Sequence, residues 1–188
     1  SLWAVYVNKS ESTLHKLKAL DDLSWNFFDS NPDSSFYFAQ LQLKLAKTLS
    51  IKKEKLRWHG KALNNIGISY QCKSDFPNAL DYQFKSLKLK EQLGDKKEIA
   101  ICFVYIGNIY YSLSELQKSL KYYVRGLKLF KNLRDKEGIA GSFLNISSIY
   151  MDQKDYKKAL NYQLQSLQFF KELKDDRGLA YTYGDIGR

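Results

Sequence analysis

Residues 135 to 173 read DKEGIAGSFLNISSIYMDQKDYKKALNYQLQSLQFFKEL, and a shift of 40 residues in either direction lands on a near copy of this stretch. Asp95, Asp135 and Asp175 keep the same step. So do further sets of positions, namely Ala100, Ala140 and Ala180; Ile66, Ile106, Ile146 and Ile186; Tyr70, Tyr110 and Tyr150; and Leu87, Leu127 and Leu167. A period of about 20 to 50 residues indicates a solenoid, in which each unit buries its apolar face by stacking on its neighbours.

Each copy contains two helical patterns separated by a short break. In one copy the apolar residues recur at spacings of three and four, first at Ile99, Phe103, Ile106 and Tyr110 and then at Leu116, Leu120, Tyr123, Leu127 and Phe130. Because the break between the two patterns is short, the two helices are predicted to turn back on each other as an antiparallel pair. We refer to the first helix of each pair as helix A and to the second as helix B.

The ends of these helices carry residues that begin helices well. The A helices are predicted to start at the N-caps Asp95, Asp135 and Asp175, and the B helices at Asp75, Ser114 and Asp155. Glycine in mid-helix costs roughly 1 kcal/mol relative to alanine. Gly107 and Gly126, which lie inside the predicted helices, therefore indicate close approach between helices.

The spacing Leu63, Ile66-Gly67, Tyr70 and Ala79 resembles the signature of the tetratricopeptide repeat. Phe103-Ile106-Gly107-Tyr110-Ser119 and Phe143-Ile146-Ser147-Tyr150-Ala159 match it with small departures. The resemblance covers roughly residues 54–188, although the family's usual unit is about 34 residues. It implies an all-α, right-handed superhelical solenoid of antiparallel helix pairs. The 40-residue variety is similar to repeats of bacterial sensor kinases and nucleotide cyclases and of some eukaryotic scaffold proteins.

The sequence predicts one solenoid domain over residues 1–188. Its parts are an N-terminal segment (1–11), a divergent first helix pair (12–50), full units at 54–93, 95–133 and 135–173, and a truncated or capping helix (175–188). The A and B helices of the full units are expected at about 54–72 and 76–93, 95–112 and 115–133, and 135–152 and 155–173. The first of these A helices is expected to be one turn longer at its start. The aromatic residues Trp25, Phe27 and Phe28 of the divergent pair are expected to close off the core.

A net charge of +10 points to an acidic partner as one alternative. The basic residues are assigned mainly to the outward face of the B helices and to the turns. They are Lys85, Lys88, Lys90, Lys121, Arg125, Lys128, Lys131, Lys157 and Lys158, with Lys96, Lys97 and Arg134 between units. Such a face is most often a solvated surface, so we do not expect nucleic acid as the partner. A basic surface that binds nucleic acid or anionic lipid remains the alternative function. No run of about 18 apolar residues predicts a membrane span.

The A helices carry a second, nearly uncharged stripe that the packing stripe does not use. By resemblance, it lines a concave groove in which a protein or peptide segment binds and asparagine amides bond the ligand backbone. The predicted groove residues are Asn64, Asn65, Ile68, Tyr105, Asn108, Tyr111, Leu144, Asn145, Ser148 and Met151. In the alternative reading of the asparagines, each only bonds a neighbouring helix.

No motif for catalysis, a metal or a cofactor is present in the sequence. We therefore expect a non-catalytic scaffold for binding proteins or peptides, and the resemblance implies the sensing segment of a larger signalling protein. It would then face the periplasm, and otherwise the cytoplasm. The apolar residues Leu179, Tyr183 and Ile186 near the C-terminal end also predict self-association there.

Overall fold

The computed structural model describes residues 1–186, so the last two residues of the predicted final helix, Gly187 and Arg188, lie outside the described residues. Within residues 1–186 the chain forms ten α-helices and no β-strand. The helices are α1 (Leu2–Val7), α2 (Thr13–Phe27), α3 (Pro32–Ala46), α4 (Lys52–Cys72), α5 (Phe76–Leu93), α6 (Lys96–Ser112), α7 (Leu116–Leu133), α8 (Lys136–Asp152), α9 (Tyr156–Leu173) and α10 (Asp176–Ile186).

The predicted helices of the three full units begin and end within two residues of the observed ones. Helix α4 has 21 residues whereas α6 and α8 have 17 each, which confirms the extra turn at its start. The sequence predicts no helix in the N-terminal segment, but the structure forms α1 there. This helix packs against α2, and the ring of Trp3 lies 6.1 Å from that of Phe38 in α3.

The chain divides into two compact units, Ser1–Asp95 and Lys96–Arg188, which we describe separately. In the N-terminal unit, α2 pairs with α3 and α4 pairs with α5, and α3 also packs on α4. In the C-terminal unit, α6 pairs with α7 and α8 with α9, α7 packs on α8, and α10 packs on α9. The prediction of one continuous solenoid over residues 1–188 stays a prediction.

Each unit has a core made by the apolar stripes of its helices. The core of the C-terminal unit contains the buried residues Ala100, Tyr123, Leu127, Phe130, Ile139, Phe143, Ile146 and Ile149. Burying one such aliphatic or aromatic side chain contributes roughly 1.5–3 kcal/mol. Leu116 and Leu120, which belong to the predicted packing stripe of α7, are only half-buried against this core. The apolar residues that α7 buries in this core, Tyr123, Leu127 and Phe130, therefore lie in the later part of the helix.

The predicted N-caps are correct at Asp75, Asp135 and Asp155, whose carboxylates accept from the amide three residues later. The prediction for Ser114 is wrong. Ser114 has φ 59°, and Glu115 is the N-cap residue of α7, although its carboxylate accepts from no backbone amide of the helix. Glu115 holds the same place in the 40-residue repeat as Asp75 and Asp155, so the period was a better guide than the residue type.

The first helix pair differs from its prediction in one further respect. Trp25 is 41% and Phe27 36% exposed, so neither closes the core. The interior of this pair is instead formed by small and aliphatic residues, among them Leu17, Leu20 and Ala39. These two rings lie outside that interior, where the ring of Phe27 lies 5.7 Å from that of Phe38 in α3.

Candidate functional site

The predicted groove residues fall on the A helices of both units. We call the stripe of α6 and α8 that contains Tyr105, Asn108, Tyr111, Leu144, Asn145, Ser148 and Met151 the A face of the C-terminal unit. All seven of these residues are half-buried. Half-burial lets a side chain keep a fixed position and still touch a ligand. None of the seven carries a charge, so this face is suited to an uncharged ligand surface such as a peptide backbone.

One asparagine of this face is already held by a neighbouring helix. The hydroxyl of Tyr123 in α7 donates to Oδ1 of Asn108 at 2.8 Å. Burial raises the pKa of Tyr123 to about 12, which keeps the hydroxyl a donor throughout the physiological range. Because the carbonyl oxygen of Asn108 is the acceptor, its amide nitrogen is the group that can donate to a ligand.

The middle of the same face is open. A Cβ atom added to Gly141 in α8 would meet no heavy atom within 4 Å. Leu144 and Asn145 follow Gly141 by three and four residues, and therefore lie on the same side of the helix. The missing side chain leaves a gap beside both of them.

In the N-terminal unit the predicted residues Asn64, Asn65 and Ile68 are buried. Asn65 donates through Nδ2 to Oδ1 of Asp21 at 2.7 Å and to Oε1 of Gln42 at 3.2 Å. The alternative reading, in which the amide bonds neighbouring helices, therefore describes the contacts of Asn65. Its use by a ligand stays a prediction.

A shallow depression opens beside Asn65 and Ile68. The other residues that line it are Ser24, Trp25, Phe28 and Ser35. The sequence analysis missed Trp25 and Phe28 as site residues. A signal was present, because Ala19-Leu20 and Leu23 of α2 match Ala62-Leu63 and Ile66 of α4, which places Trp25 at the position of Ile68.

The basic residues of the B helices form less of a free positive surface than predicted. Lys90 was assigned to the outward face, but it is only 2% exposed, and its Nζ lies 3.5 Å from Oδ1 of Asn64. Others bond a carboxylate on their own helix or its cap, as Lys85 does with Asp81 and Lys158 with Asp155. Lys85 and Lys158 therefore add less to a free positive surface than their positions in the sequence suggest.

Within residues 1–186 no group of three or more histidine, cysteine, aspartate or glutamate side chains could hold a metal ion. No helix in the described part of the chain is long and apolar enough to cross a membrane. At the C-terminal end, Tyr183 is exposed and Leu179 and Ile186 are half-buried. Self-association through this end stays a prediction.

The comparisons with known proteins agree with this architecture. The tetratricopeptide repeat family matches residues 59–132 and, in a second form, residues 139–173. A search of curated proteins gave no match.

Among solved structures, a Rap protein complexed with Competence and Sporulation Factor has a TM-score of 0.82 and 18% identity, covering 92% of this chain and 47% of its own. Aspartyl phosphate phosphatase F from Bacillus subtilis has a TM-score of 0.80 and 13% identity, and the match covers 92% of this chain and 45% of the phosphatase. A signal transduction ATPase from Pyrococcus horikoshii with a tetratricopeptide repeat sensor has a TM-score of 0.73 and 16% identity. The match covers 93% of this chain and 27% of the ATPase. The chain thus spans less than half the length of each of these three proteins.

The helix pairs define an all-α solenoid of antiparallel helix pairs, the class of repeat proteins that serve as binding scaffolds. The chain belongs to the tetratricopeptide repeat family.

Proposed function

We propose that this chain is a non-catalytic scaffold that holds an extended segment of a partner protein or peptide against the A face of the C-terminal unit. We further propose that it is the ligand-sensing or partner-sensing part of a larger signalling protein. The observation that carries the first proposal is the open position at Gly141, in the middle of an uncharged and half-buried stripe.

The chemistry of this face suits a peptide main chain. The amide nitrogen of Asn108 can donate to a backbone carbonyl, and the amide of Asn145 can both donate and accept. Tyr105 and Tyr111 offer ring surface to ligand side chains, and Leu144 and Met151 offer apolar contact. An extended segment that passes over Gly141 would meet amides and apolar groups in turn.

Two similar structures support the signalling role. One is a Rap protein complexed with Competence and Sporulation Factor, and the other is a signal transduction ATPase that carries a tetratricopeptide repeat sensor. The first of these folds occurs in a protein that is complexed with a factor, and the second occurs in a signal transduction ATPase. We carry the role over to this chain as a proposal.

The test is a screen of the full chain against a random peptide library, followed by affinity measurements on three variants. Gly141→Leu should weaken binding at least tenfold with little loss of stability, since the added side chain fills open space. Asn108→Ala should weaken binding by roughly 1–3 kcal/mol. Because this substitution also removes the hydrogen-bond partner of the Tyr123 hydroxyl, the thermal stability of the variant must be measured as well. Lys128→Ala, at an exposed position of α7, is the control and should change little.

The opposite pattern would refute the proposal. If Lys128→Ala removed binding and Gly141→Leu did not, the basic surface of the B helices would be the binding site. Affinity would then fall steeply between about 50 and 200 mM salt, as phosphate binding does. A chain that selects no peptide from the library would also contradict the proposal.

A further inference from the structure

Residues 44–55, which we call the basic turn, join α3 to α4 in the N-terminal unit. The turn contains a single carboxylate, that of Glu54, which pairs with Arg57 in the same helix at 3.0 Å. Its lysines form no ion pair with any residue in the range 1–186; they are Lys44, Lys47, Lys52, Lys53 and Lys55. The turn therefore presents positive charge that no carboxylate of the described chain neutralises.

Most of these lysines lie close together in space. Lys47 directly follows α3 and Lys55 lies in the first turn of α4. Both charges reach His59, since burial and then these two lysines lower the pKa of its imidazole. Lys52 precedes Lys55 by three residues, so the two lie on the same face of α4. Lys44 precedes Lys47 in the same way at the end of α3. The basic turn is thus one cationic surface rather than a set of separate charges.

An aliphatic side chain stands among the lysines. Ile51 is 65% exposed and is followed directly by Lys52 and Lys53. It is the N-cap residue of α4, a position for which isoleucine is one of the least suitable residues. The start of the helix therefore does not explain why isoleucine is present. An exposed aliphatic group surrounded by cations fits a surface that offers acidic groups and hydrocarbon together.

We infer that the basic turn docks on the surface of a membrane that contains anionic lipids, with its lysines on the acidic headgroups and Ile51 at the boundary with the acyl chains. Clusters of basic residues are attracted to the negative surface of such a membrane. An apolar side chain among them gains by leaving water at the headgroup boundary. A nucleic acid would also attract the lysines, but its phosphate backbone offers no hydrocarbon to Ile51. The inference goes beyond the proposed function, because it concerns the other unit and needs no peptide.

Co-sedimentation of the full chain with lipid vesicles tests the inference. At about 100 mM salt we expect binding to phosphatidylcholine vesicles that contain about 30% phosphatidylserine, and none to phosphatidylcholine alone. Added salt should weaken the binding, because exposed charges are then screened. The vesicle assay and the peptide screen are separate measurements, so each proposal can fail while the other stands.

Charge variants locate the contact. Near an anionic surface each lysine contributes about fivefold to the affinity. The double variant Lys47→Gln/Lys55→Gln should therefore weaken vesicle binding about ten- to thirtyfold. The matched control, Lys121→Gln/Lys128→Gln, removes the same charge from exposed positions of α7 and should change the affinity much less. Equal losses would show only the general attraction of a chain of charge +10, and would overturn the inference.

Ile51→Ser tests the apolar part of the contact at constant charge. Loss of the aliphatic group should weaken vesicle binding about two- to tenfold. Serine is a better N-cap residue than isoleucine, so a weaker helix would not account for that loss. Val124→Ser, at an aliphatic position of α7 that is 49% exposed, is the control and should bind vesicles as the unaltered chain does.

Three further results would overturn the inference. The first is a failure to bind the anionic vesicles. The second is release from the vesicles by inorganic phosphate at constant ionic strength, which would make the turn a site for free phosphate. The third is binding to duplex DNA that depends on Lys47 and Lys55, together with vesicle binding that Ile51→Ser leaves unchanged. That pattern would make the turn a nucleic-acid surface.

Discussion

The ring of Tyr123 packs directly on Gly107, so closely that a Cβ atom at Gly107 would lie 2.6 Å from two of the ring carbons. Tyr123 is almost fully buried. Its hydroxyl is fixed by a hydrogen bond to Asn108, the residue that follows Gly107 in α6. The tyrosine therefore has no room to move away. This contact explains why the sequence places glycine in the middle of α6, where it weakens the helix.

The first prediction compares two glycines of the A helices. Gly107→Ala should destabilise the chain by about 1–3 kcal/mol, because overpacking forces shifts in the core. Gly141→Ala should stabilise it by about 0.5–1 kcal/mol, since its Cβ meets nothing and alanine is the better helix former. Urea denaturation of both variants measures the difference. Equal effects of the two substitutions would show that the Tyr123 contact is wrong.

A second prediction concerns the core of the C-terminal unit. Ile146 is 0% exposed, and Ile146→Ala should cost about 2–5 kcal/mol through lost burial and the cavity left behind. Leu160 holds a repeated leucine position of α9 but is 44% exposed, so Leu160→Ala should cost much less. Chemical denaturation midpoints test the pair. A larger loss at Leu160 than at Ile146 would contradict the observed packing.

The third prediction is a pH dependence that comes from His59 of α4. Burial, and then the charges of Lys47 and Lys55, lower the pKa of His59 from its ordinary value of 6.5. The unfolded chain therefore takes up a proton near pH 6.5, while the folded chain takes it up only at lower pH. The contribution of neutral His59 to the free energy of unfolding is complete above pH 6.5 and is lost as the pH falls below that value.

The free energy of unfolding should accordingly decrease between about pH 7 and pH 5, and His59→Gln should reduce that decrease. The partly buried carboxylate of Asp135 does not titrate in this range. Partial burial raises the pKa of Asp135, but bonds from Lys97 and the Gly138 amide outweigh it and hold the pKa below 3.8. A slope that survives in His59→Gln would refute the assignment.

The fourth prediction uses the residues that end the B helices. Gly94, Arg134 and Lys174 occupy the same place in the repeat, and all three are left-handed, with φ of 67°, 56° and 54°. A residue with a Cβ atom pays about 1–2 kcal/mol in this conformation. Gly94→Ala should therefore destabilise the chain by about 1 kcal/mol, and Arg134→Gly should stabilise it by a smaller amount. Thermal unfolding of both variants, which should shift in opposite directions, provides the measurement.

Most of the fold could be predicted because the 40-residue period of the sequence determines where the helices of the full units begin and end. The 40-residue step, the apolar stripes and the N-cap aspartates together placed the helices of the full units to within two residues. The predictions that failed concern the first helix pair, where the sequence departs from the repeat, and the N-cap of α7, where residue type was preferred over position in the repeat. Ser114 is the better capping residue by type, yet the period points to Glu115.

The candidate site could be predicted less well, for a physical reason. Periodicity shows which face of a helix a residue occupies, but not how far that face is covered by the neighbouring helix. Asn65 and Asn108 occupy similar stripes, yet Asn65 is buried among α2 and α3 while Asn108 is only half-buried. Lys90 was misjudged for the same reason, since only the packed structure shows that its side chain is covered.

The hydrogen bonds of Asn65 limit how this array can be rearranged. Asp21 of α2, Gln42 of α3 and Asn65 of α4 form one network across three helices, so the second helix pair depends on the particular pair that precedes it. The bond between Asn108 and Tyr123 stays within a single pair. Duplicating α6 and α7 would therefore carry that bond along intact. Moving α4 and α5 next to any other pair would bury an amide without its acceptors, which makes this pair the poorest starting point for a shuffled or lengthened array.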